Sequence, residues 1–357
     1  MKKRRGSITA TLLIAGVVAL TGWGVKEGVD AHDNNKQAEI VRQNAVYIYD
    51  TAKRSMEDQR IKTNTDLEQL GRSKLRSWTD DIGGFVKAFE KFKNVELTGD
   101  GRFDELSKVP GGIQQALRDM RQNSLTALQL IGGTGGAVGA GVLAGVATTG
   151  SVVAFASAST GTAIAALHGI AATNATLAWI GGGTLAAGGL GVAGGTAILG
   201  GIFVAPIIAV GGALLNSRAE ANLEKARAYQ AEARSAAAEM RIIETTLVNI
   251  SDLSRQCDDF IREFSPRFQL VIRDMNAIYG RHTGISYAST QASEQVDFRS
   301  LERNEQYTLL TGCLMAETLK KLMEAPLLTE KGEIDGQIRT IISNCRDVSS
   351  QLRVQGI

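Results

Sequence analysis

Apolar and charged positions are spread so unevenly along this chain that their pattern alone divides it. From about residue 31 to residue 121 they alternate at helical spacing. Ile40, Ala45, Val46, Ile48, Ala52 and Met56 form a broken stripe, continued by Ile61, Leu67, Leu70, Leu75 and Trp78. Asp80 and Asp81, followed by Phe85, Val86, Phe89 and Phe92, predict a newly capped amphipathic helix. Turns are expected at 98–101 and at Pro110-Gly111-Gly112.

Residues 122–217 are different. Between Arg121 and Arg218 lie 96 residues without Asp, Glu, Lys or Arg, although a soluble domain carries about one charge in four residues. This stretch holds 22 of the chain's 40 glycines. Each costs about 0.8–1 kcal/mol against alanine inside a helix, so close packing must offset them. The spacing provides for that. Gly132, Gly136, Ala140 and Ala144 recur every fourth residue, as do Ala137, Gly141 and Gly145. Gly183, Ala187, Gly191 and Gly195 form another such ladder, and Ala193, Ala197, Gly201, Ala205 and Ala209 another. Such small-residue faces let helix backbones approach closely, so the stretch is predicted to fold into glycine-zipper helical hairpins. His168 is the titratable group within it, a packed histidine or a pH-sensitive element of a hairpin.

Charge returns at Arg218. Met240, Ile243, Leu247, Ile250, Cys257, Ile261 and Phe264 follow 3,4 spacing, with Ser254 interrupting and Leu253 one place early. The pattern predicts a coiled coil with a skip over 218–264, closed by Pro266, then a helix over 269–279 ended by Gly280. Residues 281–293 read as loop, and two last helices are expected at about 295–324 and 333–354. At the other end, Lys2-Lys3-Arg4-Arg5 precedes an apolar run from Ile8 to Val25. That run would cover roughly 27 Å as a helix, which reads as a signal-anchor over residues 1–30 or a cleaved signal peptide, the N-terminus cytoplasmic. The division is therefore 1–30, 31–121, 122–217, 218–280 and 281–357, and the class is all-α: amphipathic and coiled-coil helices flanking a glycine-zipper block.

Composition narrows the chemistry. A net charge of +2 gives no electrostatic case for nucleic acid. Three separated cysteines, Cys257, Cys313 and Cys345, make neither a disulfide framework nor a metal cluster. Gly189-Leu190-Gly191-Val192-Ala193-Gly194 matches a dinucleotide fingerprint in letters, but no carboxylate follows before Glu220. His32, His168 and His282 are scattered. No catalytic residue, metal or cofactor is expected.

The segments 89–96, 156–164 and 171–183, the last containing Ala172-Thr173-Asn174-Ala175-Thr176-Leu177-Ala178-Trp179, resemble a family of bacterial glycine-zipper helical membrane proteins. The likeness extends through Gly201 and implies an architecture and a bacterial source rather than an activity. The expectation is a non-enzymatic protein whose hairpins insert or oligomerise in the bacterial inner membrane, forming pores or perturbing it. Its partners would be the lipid bilayer and further copies of itself. The alternative is a membrane-anchored coiled-coil scaffold binding a protein partner through the 218–264 helix.

Overall fold

A computed structural model describes residues 27–96, 103, 106, 112–133, 140–150, 223–284, 294–329 and 333–354. They are mostly helical, as the all-α reading expects. Helix α1 spans Glu27–Arg76 and continues through a π-helical turn, Ser77–Ile82, into α2, Gly83–Phe89. A two-residue strand β1 (Phe92–Lys93) follows, then α3 (Gly112–Gly133) and α4 (Ala140–Thr149). Helix α5 runs from Leu223 to Thr283. Strand β2 (Val296–Asp297) and a 3-10 turn (Phe298–Ser300) lead to α6 (Arg303–Glu324) and α7 (Ile338–Val354).

The chain forms two compact units. The first takes Met1–Thr51 with Pro206–Ala237, and among its described residues the buried apolar side chains are Ala38, Ala45, Tyr49, Ala226, Ala233, Ala236 and Ala237. The second, Ala52–Ala205 with Ala238–Ile357, holds the main core. Within it α1 and α5 run parallel. Ser55 Oγ donates to Glu244 at 2.7 Å, a sequence separation of 189. Thr63 Oγ1 donates to the Leu247 carbonyl at 3.0 Å, a separation of 184, and Ser251 Oγ reaches Asp66 at a separation of 185. The same offset of 185 persists to the bond from Lys91 Nζ to Asn276 Oδ1 at 2.8 Å. The two strands are parallel as well, at a different offset: Phe92 pairs with Val296, and Lys93 with Asp297.

Three sequence expectations are corrected here. Helix α5 does not stop at Pro266 or at Gly280; it continues for 61 residues to Thr283. Pro266 is exposed, so the hydrogen bond it forgoes lies on the solvent side, where its cost is least. There is also no skip at Ser254. Ala226, Ala233, Met240, Leu247, Ser254, Ile261, Phe268 and Met275 are all buried at intervals of seven, with Ile250, Cys257, Phe264, Val271 and Ile278 three places further on. Asp80 and Asp81 start no new helix; they lie in the π-helical turn of one continuous helical run.

A rung of rings fills the middle of the core. Phe260, Phe264, Phe268, Phe85 and Phe89 follow one another with centroids 5.0, 6.4, 5.8 and 5.4 Å apart. The described part of the chargeless stretch joins this core. Leu143, Ala144, Val146 and Ala147 of α4 are buried within it. Helix α4 lies against α1 at Gly71, where an added Cβ would stand 2.1 Å from the Leu143 carbonyl oxygen.

The membrane expectation is corrected as well. Among the described residues no helix is long and apolar enough to cross a membrane. Helix α4 is ten residues, about 15 Å, half of a bilayer core, and its Leu143, Ala144, Val146 and Ala147 side chains are covered by protein. An inserting, pore-forming protein of the inner membrane is therefore not what this structure describes. The signal-anchor run 8–25 lies outside the described residues, as do Gly136, Gly183, Gly191, Gly195, Gly201 and His168.

Candidate functional site

The C-terminal ends of α4 and α6 meet at a joint in the second unit. Each helix end leaves carbonyls without partners along its own axis. Here they find them across the joint. The Thr148 carbonyl accepts from Leu327 N at 2.8 Å and from Leu328 N at 3.2 Å. Gly150 lies so close to α6 that an added Cβ would be 2.1 Å from the Glu324 carbonyl oxygen, and its φ of +69° suits glycine. Lys74, 1% exposed, brings its Nζ to the Ala147 carbonyl at 3.2 Å and the Ala325 carbonyl at 3.4 Å. A lysine thus caps both helices at their negative ends. Burial pulls its pKa down to about 8.

The neighbouring thiols are free and buried. Burial pushes Cys257 up to about 11 and Cys345 up to about 12, and it raises Cys313 as well. A protonated, enclosed thiol is a poor nucleophile, so these cysteines act as small apolar groups.

A second polar cluster sits at the π-helical turn. The carboxylate of Asp81, 3% exposed, accepts from Ser77 Oγ at 2.7 Å, from Gln269 Nε2 at 2.7 Å and from Ser265 Oγ. Three neutral donors satisfy a buried carboxyl group and tie α5 to the turn. A third cluster closes the start of α6. Glu305 accepts from Arg281 at 2.8 Å and from the Glu302 backbone N at 3.3 Å, with His282 Nε2 at 2.8 Å. Those donors hold the Glu305 carboxyl below its usual range although burial opposes them.

A cleft of about 380 Å³ opens between α5 and α6 beside Arg267, Val271, Asn304, Tyr307 and Thr311. Several of its polar side chains are engaged with the protein itself. Arg267 donates to Ser349 Oγ at 2.8 Å, Arg273 pairs with Asp274 at 3.5 Å and Thr308 Oγ1 donates to the Asn304 carbonyl at 3.1 Å. No group of metal-ligating side chains assembles among the described residues.

Of the glycines singled out by spacing, Gly132 lies in the last turn of α3, and Gly141 and Gly145 lie in α4, where Gly145 is buried. The polar residues that organise the joint and the turn are Lys74 and Asp81. Lys74 carries a legible signal, since it falls four places after Leu70 on the apolar stripe of α1. No family model, curated protein or solved structure matches the chain.

Proposed function

We propose that the chain is a non-enzymatic helical scaffold that associates with a second copy of itself along the outward face of α5. The observation that supports this is a second uncharged stripe on that helix. Outside the buried seam, Ala238, Ile242 and Thr245 follow 4,3 spacing and are all exposed, with Val248 beside them. Ile242 is 67% exposed, an unusual place for a large aliphatic side chain on a charged helix. A helix with two apolar stripes has a face left over for another helix.

A second copy fits this face. Two-fold pairing needs a self-complementary surface, and the stripe is flanked by charges of both signs, Glu239 and Arg241. The face lies inside the 218–264 segment whose spacing first pointed to a coiled coil. The buried polar clusters support a non-enzymatic reading, because their donors and acceptors are spent on holding helix ends and register.

Sedimentation equilibrium of the full chain tests the proposal. Wild type should sediment above monomer mass with a measurable dissociation constant. Ile242→Glu should weaken association by about tenfold or more, since a charge would be enclosed at the centre of the face. Monomeric wild type across the accessible range, or an unchanged constant in the variant, would refute it.

A further inference from the structure

Carboxylates collect where α3 passes the C-terminal half of α6. Glu317 is 6% exposed, and its Oε2 has no hydrogen-bond partner among the described residues. About two turns further on, Glu324 accepts from Asn123 Nδ2 of α3 at 3.0 Å and pairs with Lys320 Nζ at 3.2 Å. Asp119 of α3 adds negative charge felt by both glutamates, and Lys320 and Lys321 are the cations that oppose it. Among the described residues, three carboxylates face two ammonium groups, which leaves this contact short of positive charge. Glu324 also ends α6, where the helix dipole already disfavours an anion. Lys74 caps the next carbonyl, that of Ala325, and so is spent on the backbone.

We infer that the contact between α3 and the end of α6 is a pH-sensitive latch that acid tightens and rising pH loosens. An anionic Glu317 is enclosed with an unpartnered oxygen beside two other carboxylates. Its protonated form carries no charge to desolvate and relieves the repulsion across the contact. Burial raises the pKa of both Glu317 and Glu324 above the ordinary 4.5, which sets the sign. The folded chain keeps protons that the opened one releases. The closed latch is therefore favoured fully below pH 4.5 and loses that advantage as pH rises through the raised values. The consequence reaches beyond the contact. Helix α3 leads straight into the chargeless stretch, and the end of α6 holds Thr148 and Gly150 of that stretch, so the latch governs how firmly its beginning is tied down.

Amide hydrogen exchange of the full chain, corrected for the intrinsic effect of pH, reads the latch at residues 112–133 and 314–325. The local opening constant in wild type should fall about tenfold or more between about pH 7.5 and about pH 5. Glu317→Gln combined with Glu324→Gln keeps carbonyl acceptors but removes the charges. At about pH 7.5 that variant should show the protection that wild type reaches at about pH 5. An opening constant that is equal at both pH values in wild type overturns the inference. So does a double variant that retains the wild-type pH dependence.

Discussion

Lys74 shows how one buried side chain can be structural and costly at once. It satisfies two helix-end carbonyls, yet its ammonium sits where water cannot solvate it. Its pKa of about 8 in the fold lies below the ordinary 10.5. Between those values the unfolded chain binds the extra proton, so folding stability rises with pH. The thiols work in the opposite sense: their raised values make the fold lose stability as pH climbs above the ordinary 9.0. From about pH 8 to 9.0 the two trends overlap, so the difference between wild type and Lys74→Met, in which the thiols cancel, isolates the lysine. By chemical denaturation there, the stability of wild type relative to Lys74→Met should increase by about 1 kcal/mol per pH unit. A difference that stays constant with pH would mean that Lys74 titrates as if exposed.

At the scale of elements, α5 carries the most instructive difference between pattern and fold. Its seam is a seven-residue repeat from Ala226 to Met275, but the repeat includes Ser254, a polar side chain in an apolar position. The hydroxyl is fully buried and has no partner among the described residues. A serine in that register reads as a break in the sequence, and Leu253, also buried, reads as a shift. Burial on both faces of the helix, against α1 and against the core beyond it, accommodates both residues. Pro266 misleads in the same way, since a proline is tolerated when its missing bond falls on the exposed side. Legible from spacing were the all-α class and the amphipathic stripes. The parallel pairing of α1 with α5 was not legible, because it depends on polar bonds between residues some 185 positions apart. Lys74 is marked by its place on the apolar stripe, but the helix ends it joins were not legible, and neither were the carboxylates of α6, which no local motif marks. Ser254→Ala should stabilise the fold by about 1 kcal/mol, because it removes a desolvated hydroxyl and leaves the seam intact. Equal or lower stability by urea titration would show that the hydroxyl has a partner.

For the molecule as a whole, the chargeless stretch has to be weighed against the material it touches. Lack of charge and abundant glycine suit lipid, but they suit a protein interior equally well, since both environments exclude ions and reward close backbone approach. The described residues favour the interior. Helix α4 lies against Gly71, and its end is held by Thr148, Gly150 and Lys74. The close approach here rests on a glycine of the charged helix α1, outside every ladder in the chargeless stretch. A single methyl group tests this. Gly71→Ala would place a carbon 2.1 Å from the Leu143 carbonyl oxygen, a clash relieved by moving backbone rather than a side chain. The expected loss is about 1–3 kcal/mol, the usual range for overpacking a core, although alanine is the better helix former. The loss should appear in urea titration with the helical dichroism of the native state unchanged, and with faster exchange in residues 143–149. If α4 spends its time away from α1, the same substitution would stabilise the chain by the helix propensity of alanine. The sign of the change thus decides where the start of the chargeless stretch resides.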